Sequence, residues 1–210
     1  ILWKQSFFNP LYIFGMAFNR NIIMSHYNML PKLSILNKIP PMSEPLGHIN
    51  VVVEIPKDSR IKYEVDHDTG ILFVDRKLYT SMVYPFNYGF LPGSLEEDGD
   101  PVDVLLIGDE SLFPLSVVRA TPLGVLLTED EEGKDSKIIA VPSPKVDPVY
   151  SNVNQLSDIP TSVLDKIRHF FEHYKELEPG KFVRVVGYAN DQITRKKIKE
   201  ATDRYSAGNR

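Results

Sequence analysis

From residue 46 onward, the chain consists largely of short runs of apolar and β-branched residues separated by Gly, Pro, Asn and Asp. Many short runs with turn residues between them are typical of a β-barrel or a β-sandwich. The runs that we predict to be strands are 51–55, 61–65, 71–74, 102–107, 116–120, 124–127, 138–141 and 181–187. The sequence therefore predicts a mainly β domain.

Two helices are predicted in the C-terminal half, so the expected fold class is α+β, mainly β. The first helix begins at Pro160, because proline suits the first turn of a helix, and it ends near Pro179-Gly180. Its predicted buried stripe, with residues three and four apart, is Leu164, Ile167, Phe171 and Tyr174. The second helix runs from about Asp191 to Tyr205, with Asp191 as its cap and a buried stripe of Ile198, Ala201 and Tyr205.

Charge separates a basic N-terminal extension, residues 1–45, from a domain at residues 46–210. Residues 1–43 hold four basic residues and no acidic one, whereas the remainder holds 20 basic and 28 acidic residues. The longest apolar stretch of the extension, 11–18, is far shorter than the ~20 residues of a membrane span. Its composition fits either an organellar transit peptide or translation from upstream of the true start. The expected location is cytoplasmic, or organellar if a transit peptide is present.

Composition also narrows the classes of function. The formal net charge of −4 offers no overall basic surface for nucleic acid, and no membrane partner is expected. The absence of Cys excludes disulfides and thiolate sites.

An acidic motif at 98–103, Asp98-Gly99-Asp100-Pro101-Val102-Asp103, stands directly before the apolar run 104–107. Three carboxylates in six residues repel one another unless cations or protons offset their charge, and hard divalent cations are the leading interpretation. An ordinary surface turn has the same composition and is the simplest alternative. An EF-hand is set aside, because its loop needs Gly at the sixth and Glu at the twelfth position.

A second acidic cluster, 130–135, lies between two apolar runs, as the tip of a β-hairpin would. Carboxylates in two clusters, with no Cys and few His, favour magnesium, manganese or calcium over zinc or copper. Such cations commonly serve phosphate chemistry, which also needs basic groups. Lys62 in a strand-like run and Arg76 after another could supply them, although each alone could equally form a surface ion pair.

Seven motifs, taken in order, resemble those of family I soluble inorganic pyrophosphatases over about residues 46–205. They are Glu54-Ile55-Pro56, Ile61-Lys62-Tyr63-Glu64, Leu72-Phe73-Val74-Asp75-Arg76, Tyr84-Pro85-Phe86-Asn87-Tyr88-Gly89, the motif at 98–103, Asp130-Glu131 with Asp135 and Lys137, and Phe170-Phe171-Glu172-His173-Tyr174-Lys175. The motif at 98–103 is highly specific to that family. The resemblance implies a five-stranded OB-like closed barrel with added short strands and two flanking helices.

The resemblance also implies a reaction, namely magnesium-dependent hydrolysis of inorganic diphosphate to two orthophosphates by direct attack of a metal-activated water or hydroxide. It implies three or four Mg²⁺ per active site, Mn²⁺ or Zn²⁺ as substitutes, and inhibition by Ca²⁺. The implied metal residues are Glu54, Glu64, Asp98, Asp103, Asp130, Glu131 and Asp135. The implied general base is Asp100, with Tyr88 beside it, and the implied phosphate-binding residues are Lys62, Arg76, Lys137, Tyr174 and Lys175.

The assembly implied by the resemblance is a homo-oligomer, a hexamer rather than a dimer, because the chain is similar to the compact prokaryotic type. Two other classes of function are weighed against the enzyme. An OB module that binds nucleic acid would need exposed aromatics along a basic groove. A nonenzymatic calcium-binding protein would leave Lys62, Arg76, Tyr174 and Lys175 unexplained.

Overall fold

The structure, a computed structural model, describes residues 35–43, 47–131 and 133–208. Its strands are β1 (Met42–Ser43), β2 (His48–Ile55), β3 (Ile61–Val65), β4 (Leu72–Lys77), β5 (Asn87–Phe90), β6 (Asp103–Leu106), β7 (Val117–Asp130), β8 (Gly133–Lys134), β9 (Lys137–Pro142) and β10 (Val183–Ala189). Its α-helices are α1 (Thr161–His173) and α2 (Asp191–Gly208), and short 3-10 helices span Ile35–Lys38, Pro148–Tyr150 and Leu156–Asp158. The predicted fold class, mainly β with two C-terminal helices, is confirmed.

Five strands form a closed ring in the order β2, β5, β6, β9 and β7, because β7 also pairs with β2. Within this ring only β6 and β9 run parallel; the other neighbours are antiparallel. Strand β1 adds to β2, whereas β8 and β10 add to β7, and β3 with β4 forms a separate two-stranded sheet. This arrangement is consistent with the predicted OB-like fold.

The long strand β7 unites two runs that the sequence analysis separated, 116–120 and 124–127. Pro122 lies between the two runs, and proline cannot donate a ladder hydrogen bond. The structure accommodates Pro122 at a register shift between Pro122 and Gly124 in the pairing with β9. The acidic cluster at 130–135 therefore lies at the tip of a β7–β9 hairpin, as predicted.

Strand β5 was not predicted, although it completes the ring. Its first residue, Asn87, is buried and accepts hydrogen bonds from the Lys57 and Leu112 amides at 3.0 and 2.9 Å. At Gly89 a Cβ atom would stand 1.9 Å from the carbonyl oxygen of Val52, so only glycine fits between β5 and β2. The strand is thus specified by polar anchoring and close backbone approach, not by apolar alternation.

Alternate residues of the ring strands enter two different cores. On β6, Leu105 belongs to a cluster that includes Ile167 and Phe171 of α1. Its neighbour Val104 belongs to a second cluster that includes Ile198 and Ala201 of α2. Since both faces of the strand are apolar, the ring is packed on both sides, and each helix covers one core.

The two helices differ in detail from their predictions. Helix α1 ends at His173, earlier than predicted, and Tyr174 caps it while remaining buried. In α2 the buried side chains include Ile198 and Ala201, as predicted, whereas Tyr205 of the predicted stripe is only partly buried. The cap of α2 is Asn190, whose side chain accepts from the Ile193 amide at 3.2 Å, whereas the predicted cap is the first helical residue.

Residues 35–43 contact the ring, although the sequence analysis assigned them to the N-terminal extension. Leu36 is buried in a cluster with Val52, Val65 and Phe90, and β1 pairs with β2. The remaining residues of the extension lie outside the described ranges. Within those ranges, no helix has the length and the apolar character needed to cross a membrane.

Candidate active site

Strand pairing brings three predicted site residues to one face of the ring. In the parallel pair β6 and β9, Leu105 lies opposite Ile139. Asp103 lies two residues before Leu105, and Lys137 lies two residues before Ile139. Because side chains two apart on a strand share a face, Asp103 and Lys137 meet at the same end of that face. Tyr88 joins them there, since it is paired with Leu105 across β5 and β6.

Lys137 is the most deeply buried cation of this site. Its side chain is 3% exposed, and its Nζ atom donates to Asp103 Oδ2 at 2.7 Å and also to Asp135. Burial lowers the pKa of Lys137, but the charges of Asp103 and Asp135 outweigh it and raise that pKa above its ordinary value. The ammonium group therefore stays charged at the base of the two acidic segments.

The loop at 94–102 carries the predicted site residues Asp98 and Asp100, and it is fixed by a buried serine. Ser94 accepts from the Val102 amide at 2.9 Å and donates to the Leu91 carbonyl at 2.6 Å. Asp98 accepts from the Asp100 amide at 3.0 Å. Loss of solvent around Asp100, followed by the charge of Asp98, raises the pKa of Asp100 above its ordinary value. A carboxylate with a raised pKa accepts a proton more readily at neutral pH.

Glu54 lies at the end of β2 and is the most buried of the predicted acidic residues. The residue is 8% exposed, and its Oε1 atom accepts from the Val65 amide at 2.8 Å. Burial is the main cause that raises the pKa of Glu54 from 4.5 to about 8. A nearby cation would stabilise its charged form.

The two-stranded sheet β3–β4 contributes the cations Lys62 and Arg76. Asp75 Oδ2 joins them, at 3.1 Å from Lys62 Nζ and 2.5 Å from Arg76 Nη1. Lys62 also pairs with Glu64. Burial lowers the pKa of Lys62, but the contact with Glu64, followed by that with Asp75, raises this pKa above its ordinary value. Both cations are thus held by carboxylates at the wall of the cleft.

The segment after α1 contributes Tyr174 and Lys175. Lys175 Nζ donates to Asp130 Oδ2 at 3.0 Å, which links this segment to the β7–β9 hairpin. Burial is the main cause that raises the pKa values of Tyr174 and Tyr88 well above their ordinary value. Both hydroxyl groups therefore stay protonated at neutral pH and can donate hydrogen bonds.

These residues line one cleft with a volume of about 1010 Å³. Thirteen of the fourteen predicted site residues are among its lining residues. Glu131 is the exception: its carboxylate pairs with Lys181 and lies 3.8 Å from Lys175 Nζ. The structure thus brings together residues from all seven motifs, but it does not place Glu131 on the cleft wall.

Several charged residues around the cleft were not predicted as site residues. Asp75 and Glu178 form ion pairs with Arg76. The only feature of the sequence that marks them is position: Asp75 is adjacent to Arg76, and Glu178 lies soon after Tyr174-Lys175. Others line the cleft from α2 and from the loop before Asp98, where no local motif marks them. They are Glu96, Glu97, Lys197, Glu200 and Arg204; Lys134 of β8 and Lys181 also line the cleft.

Comparison with known proteins identifies the family of this chain. The family model described as inorganic pyrophosphatase matches residues 51–206. The chain belongs to the inorganic pyrophosphatase family. The chain is therefore a hydrolase. Membership of this family supports the hydrolysis of pyrophosphate and a dependence on metal ions.

Individual relatives match nearly their whole length. The inorganic pyrophosphatase of Sulfolobus acidocaldarius is 52% identical over 171 residues, which cover 81% of this chain and 99% of that protein. That of Aeropyrum pernix is 55% identical over 168 residues, which cover 80% and 96%. The crystal structure titled inorganic phosphatase from Anaplasma phagocytophilum is similar with a TM-score of 0.77 at 44% identity, covering 80% of this chain and 99% of that one. The inorganic pyrophosphatase of Helicobacter pylori gives 0.76 at 48% identity, covering 78% and 96%.

Proposed function

We propose that this chain hydrolyses inorganic diphosphate to two orthophosphates in a magnesium-dependent reaction, by direct attack of water without a covalent intermediate. One observation carries the proposal: carboxylates from two acidic segments and cations from three other segments line the same cleft. A substrate made of a divalent cation and a phosphate anion needs both sets of groups within reach of one another.

The donor set fits hard cations. Asp98, Asp103, Asp130 and Asp135 present carboxylate oxygens to the cleft, and oxygen ligands suit magnesium. Among the described residues, no three carboxylates or imidazoles already stand in a metal-binding arrangement. The Lys137 ammonium group lies between Asp103 and Asp135. A cation that binds these two carboxylates would therefore compete with Lys137, which could exchange them for another anion.

The phosphate groups of the substrate are the anions that can replace these carboxylates at Lys137. We assign Lys62, Arg76, Lys137, Tyr174 and Lys175 to the phosphate oxygens. The guanidinium and ammonium groups neutralise charge that develops on the leaving phosphate, and the Tyr174 hydroxyl donates to it. Carboxylates already hold Lys62, Arg76 and Lys175 at the cleft wall, so these cations are positioned before a substrate binds.

We assign Asp100 as the general base that takes a proton from the attacking water, with Tyr88 as a hydrogen-bond donor beside it. The raised pKa of Asp100 supports this role, because a base works best when its pKa approaches the working pH. The assigned metal residues are Glu54, Glu64, Asp98, Asp103, Asp130, Glu131 and Asp135. Three or four Mg²⁺, when bound, supply charge neutralisation and make coordinated water more acidic.

A phosphate-release assay tests the proposal. Purified protein should release phosphate from diphosphate with magnesium, and much less from triphosphate or ATP or without magnesium. Calcium should inhibit, because it is larger and accepts irregular coordination, so it misplaces the reacting groups. A preference for ATP over diphosphate would refute the substrate, and comparable turnover with calcium alone would refute the metal.

We also propose a homo-oligomer, a hexamer in preference to a dimer, and a domain at residues 46–210 that follows a basic extension. Light scattering on the purified protein measures the mass of the assembly directly. The proposed location is cytoplasmic, or organellar if the extension contains a transit peptide, and fractionation of the source cells distinguishes the two.

A further inference from the structure

Glu178 is a buried carboxylate that the proposed reaction does not use directly. The residue is 9% exposed, and its Oε1 atom accepts from Arg76 Nε at 3.0 Å, across 102 residues of sequence. A carboxylate removed from water costs several kcal/mol unless a cation or hydrogen-bond donor compensates for the lost hydration. Arg76 provides that compensation, so the two side chains constrain each other.

The backbone around Glu178 is itself fixed to the segment that carries Tyr174 and Lys175. The Glu178 amide donates to the Lys175 carbonyl at 2.9 Å, and the Lys181 amide donates to the Glu178 carbonyl at 3.1 Å. The contact between Glu178 and Arg76 therefore joins strand β4 to the turn after α1. The contact thus links Arg76 to Tyr174 and Lys175. We assign all three side chains to phosphate binding, and they come from two distant parts of the chain.

The geometry of Arg76 shows how this contact orients the guanidinium group. Its Nε atom faces Glu178, and its Nη1 atom faces Asp75 Oδ2 at 2.5 Å. A guanidinium group is a rigid plane with five N–H donors, so two anchored nitrogens fix the direction of the other N–H groups. Arg76 lines the cleft, and the N–H groups that remain are those that a phosphate oxygen could accept from.

We propose that Glu178 is a positioning residue, which holds the Arg76 guanidinium group at the orientation that binds diphosphate. This inference rests on the proposed function. Asp75 is a less specific anchor, because it also contacts Lys62 at 3.1 Å and is more exposed than Glu178. Glu178 acts on the reaction only through Arg76.

Three variants separate positioning from a general effect of charge. Glu178→Ala removes the acceptor, and we expect KM for magnesium diphosphate to rise about tenfold with kcat lowered less than threefold. Glu178→Gln keeps an oxygen acceptor at the same place and should stay within about threefold of the wild type in KM. Glu178→Asp keeps the charge but withdraws the carboxylate by one methylene group, so its KM should rise as in Glu178→Ala.

The matched control is Glu172→Ala, which breaks an exposed ion pair on α1, where Glu172 accepts from Arg168 Nε at 2.9 Å. This change should leave both KM and kcat within twofold of the wild type. If Glu178→Ala resembles Glu172→Ala, or if Glu178→Asp retains wild-type KM while Glu178→Gln does not, the proposal is wrong.

A double-mutant cycle tests whether Glu178 acts through Arg76. The values of kcat/KM for Arg76→Ala and for the double variant with Glu178→Ala should agree within twofold, because the second change removes nothing further. Multiplicative losses would overturn the proposal. A wild-type enzyme that releases no phosphate from diphosphate would overturn the proposed function and the substrate named here. In that case, urea unfolding still tests the contact itself. The contact is established if Arg76→Ala shifts the urea midpoint and the double variant with Glu178→Ala shifts it no further.

Discussion

Replacing Glu54 by Gln should stabilise the protein at alkaline pH when no divalent cation is present. The side-chain oxygen that accepts from the Val65 amide is retained in Gln, so the change removes a charge and little else. In the folded protein, burial raises the pKa of Glu54 from 4.5 to about 8, so the folded state binds a proton more tightly than the unfolded state. Stability is therefore greatest at acid pH and falls as the pH rises from about 4.5 to about 8.

The magnitude follows from the two pKa values. Their difference corresponds to about 5 kcal/mol, which is the largest loss that this one carboxyl group can cause between acid and alkaline pH. The wild type should lose up to this amount relative to Glu54→Gln between pH 5 and pH 9. The two proteins should differ little at pH 5, where both side chains are neutral.

The assay is urea unfolding of both proteins at pH 5 and pH 9, with a chelator and at one protein concentration. Repeating it with magnesium tests the proposed metal role, since a cation near Glu54 stabilises the charged wild type and cannot help Gln in the same way. Equal pH dependence of the two proteins in the chelator would refute the reasoning. Catalytic activity should fall in Glu54→Gln in spite of its greater stability.

Three further changes test the other parts of the argument. Asp100→Asn should lower turnover by about 10² to 10⁴ with little change in the magnesium titration. Asp103→Asn should weaken magnesium binding and regain some activity at high magnesium. The opposite pattern would mean that the two roles are reversed. Gly89→Ala should cost about 3 kcal/mol in urea unfolding, because its Cβ atom would stand 1.9 Å from a carbonyl oxygen, and a neutral result would contradict the close approach. A chain that begins at Met42 should keep its specific activity, since the assigned site residues come later in the sequence. Compared with a chain that begins at Ser34, it should lose about 1–3 kcal/mol of stability, because it lacks the buried Leu36 side chain.

The sequence predicts most of the strands because their apolar runs are long enough to show a pattern. It does not predict β5, since Asn87 and Gly89 contribute an anchored amide and a close backbone approach, which have no apolar periodicity. It also divides β7 at Pro122, because the register shift that accommodates the proline depends on the partner strand β9. Both differences arise from contacts between strands that are distant in sequence.

The candidate site is predictable for a different reason. Its acidic segments are local in sequence, and the parallel start of β6 and β9 then places Asp103 beside Lys137. The residues that orient this set are less predictable, because Glu178 and Arg76 are 102 residues apart and no local pattern connects them. The placement of Glu131 away from the cleft wall likewise depends on its contact with Lys181, which lies beyond α1.

The ion pairs of the cleft have a consequence for how binding responds to ionic strength. Lys137 and Lys175 already hold carboxylates, so a free diphosphate anion that binds them competes with those carboxylates for the same positive charge. A complex of diphosphate with magnesium brings both signs of charge, so each lysine can exchange a carboxylate for a phosphate oxygen while the carboxylate takes the cation. The number of ion pairs is then the same before and after the exchange. Added salt should therefore weaken the binding of the free anion much more than that of its magnesium complex.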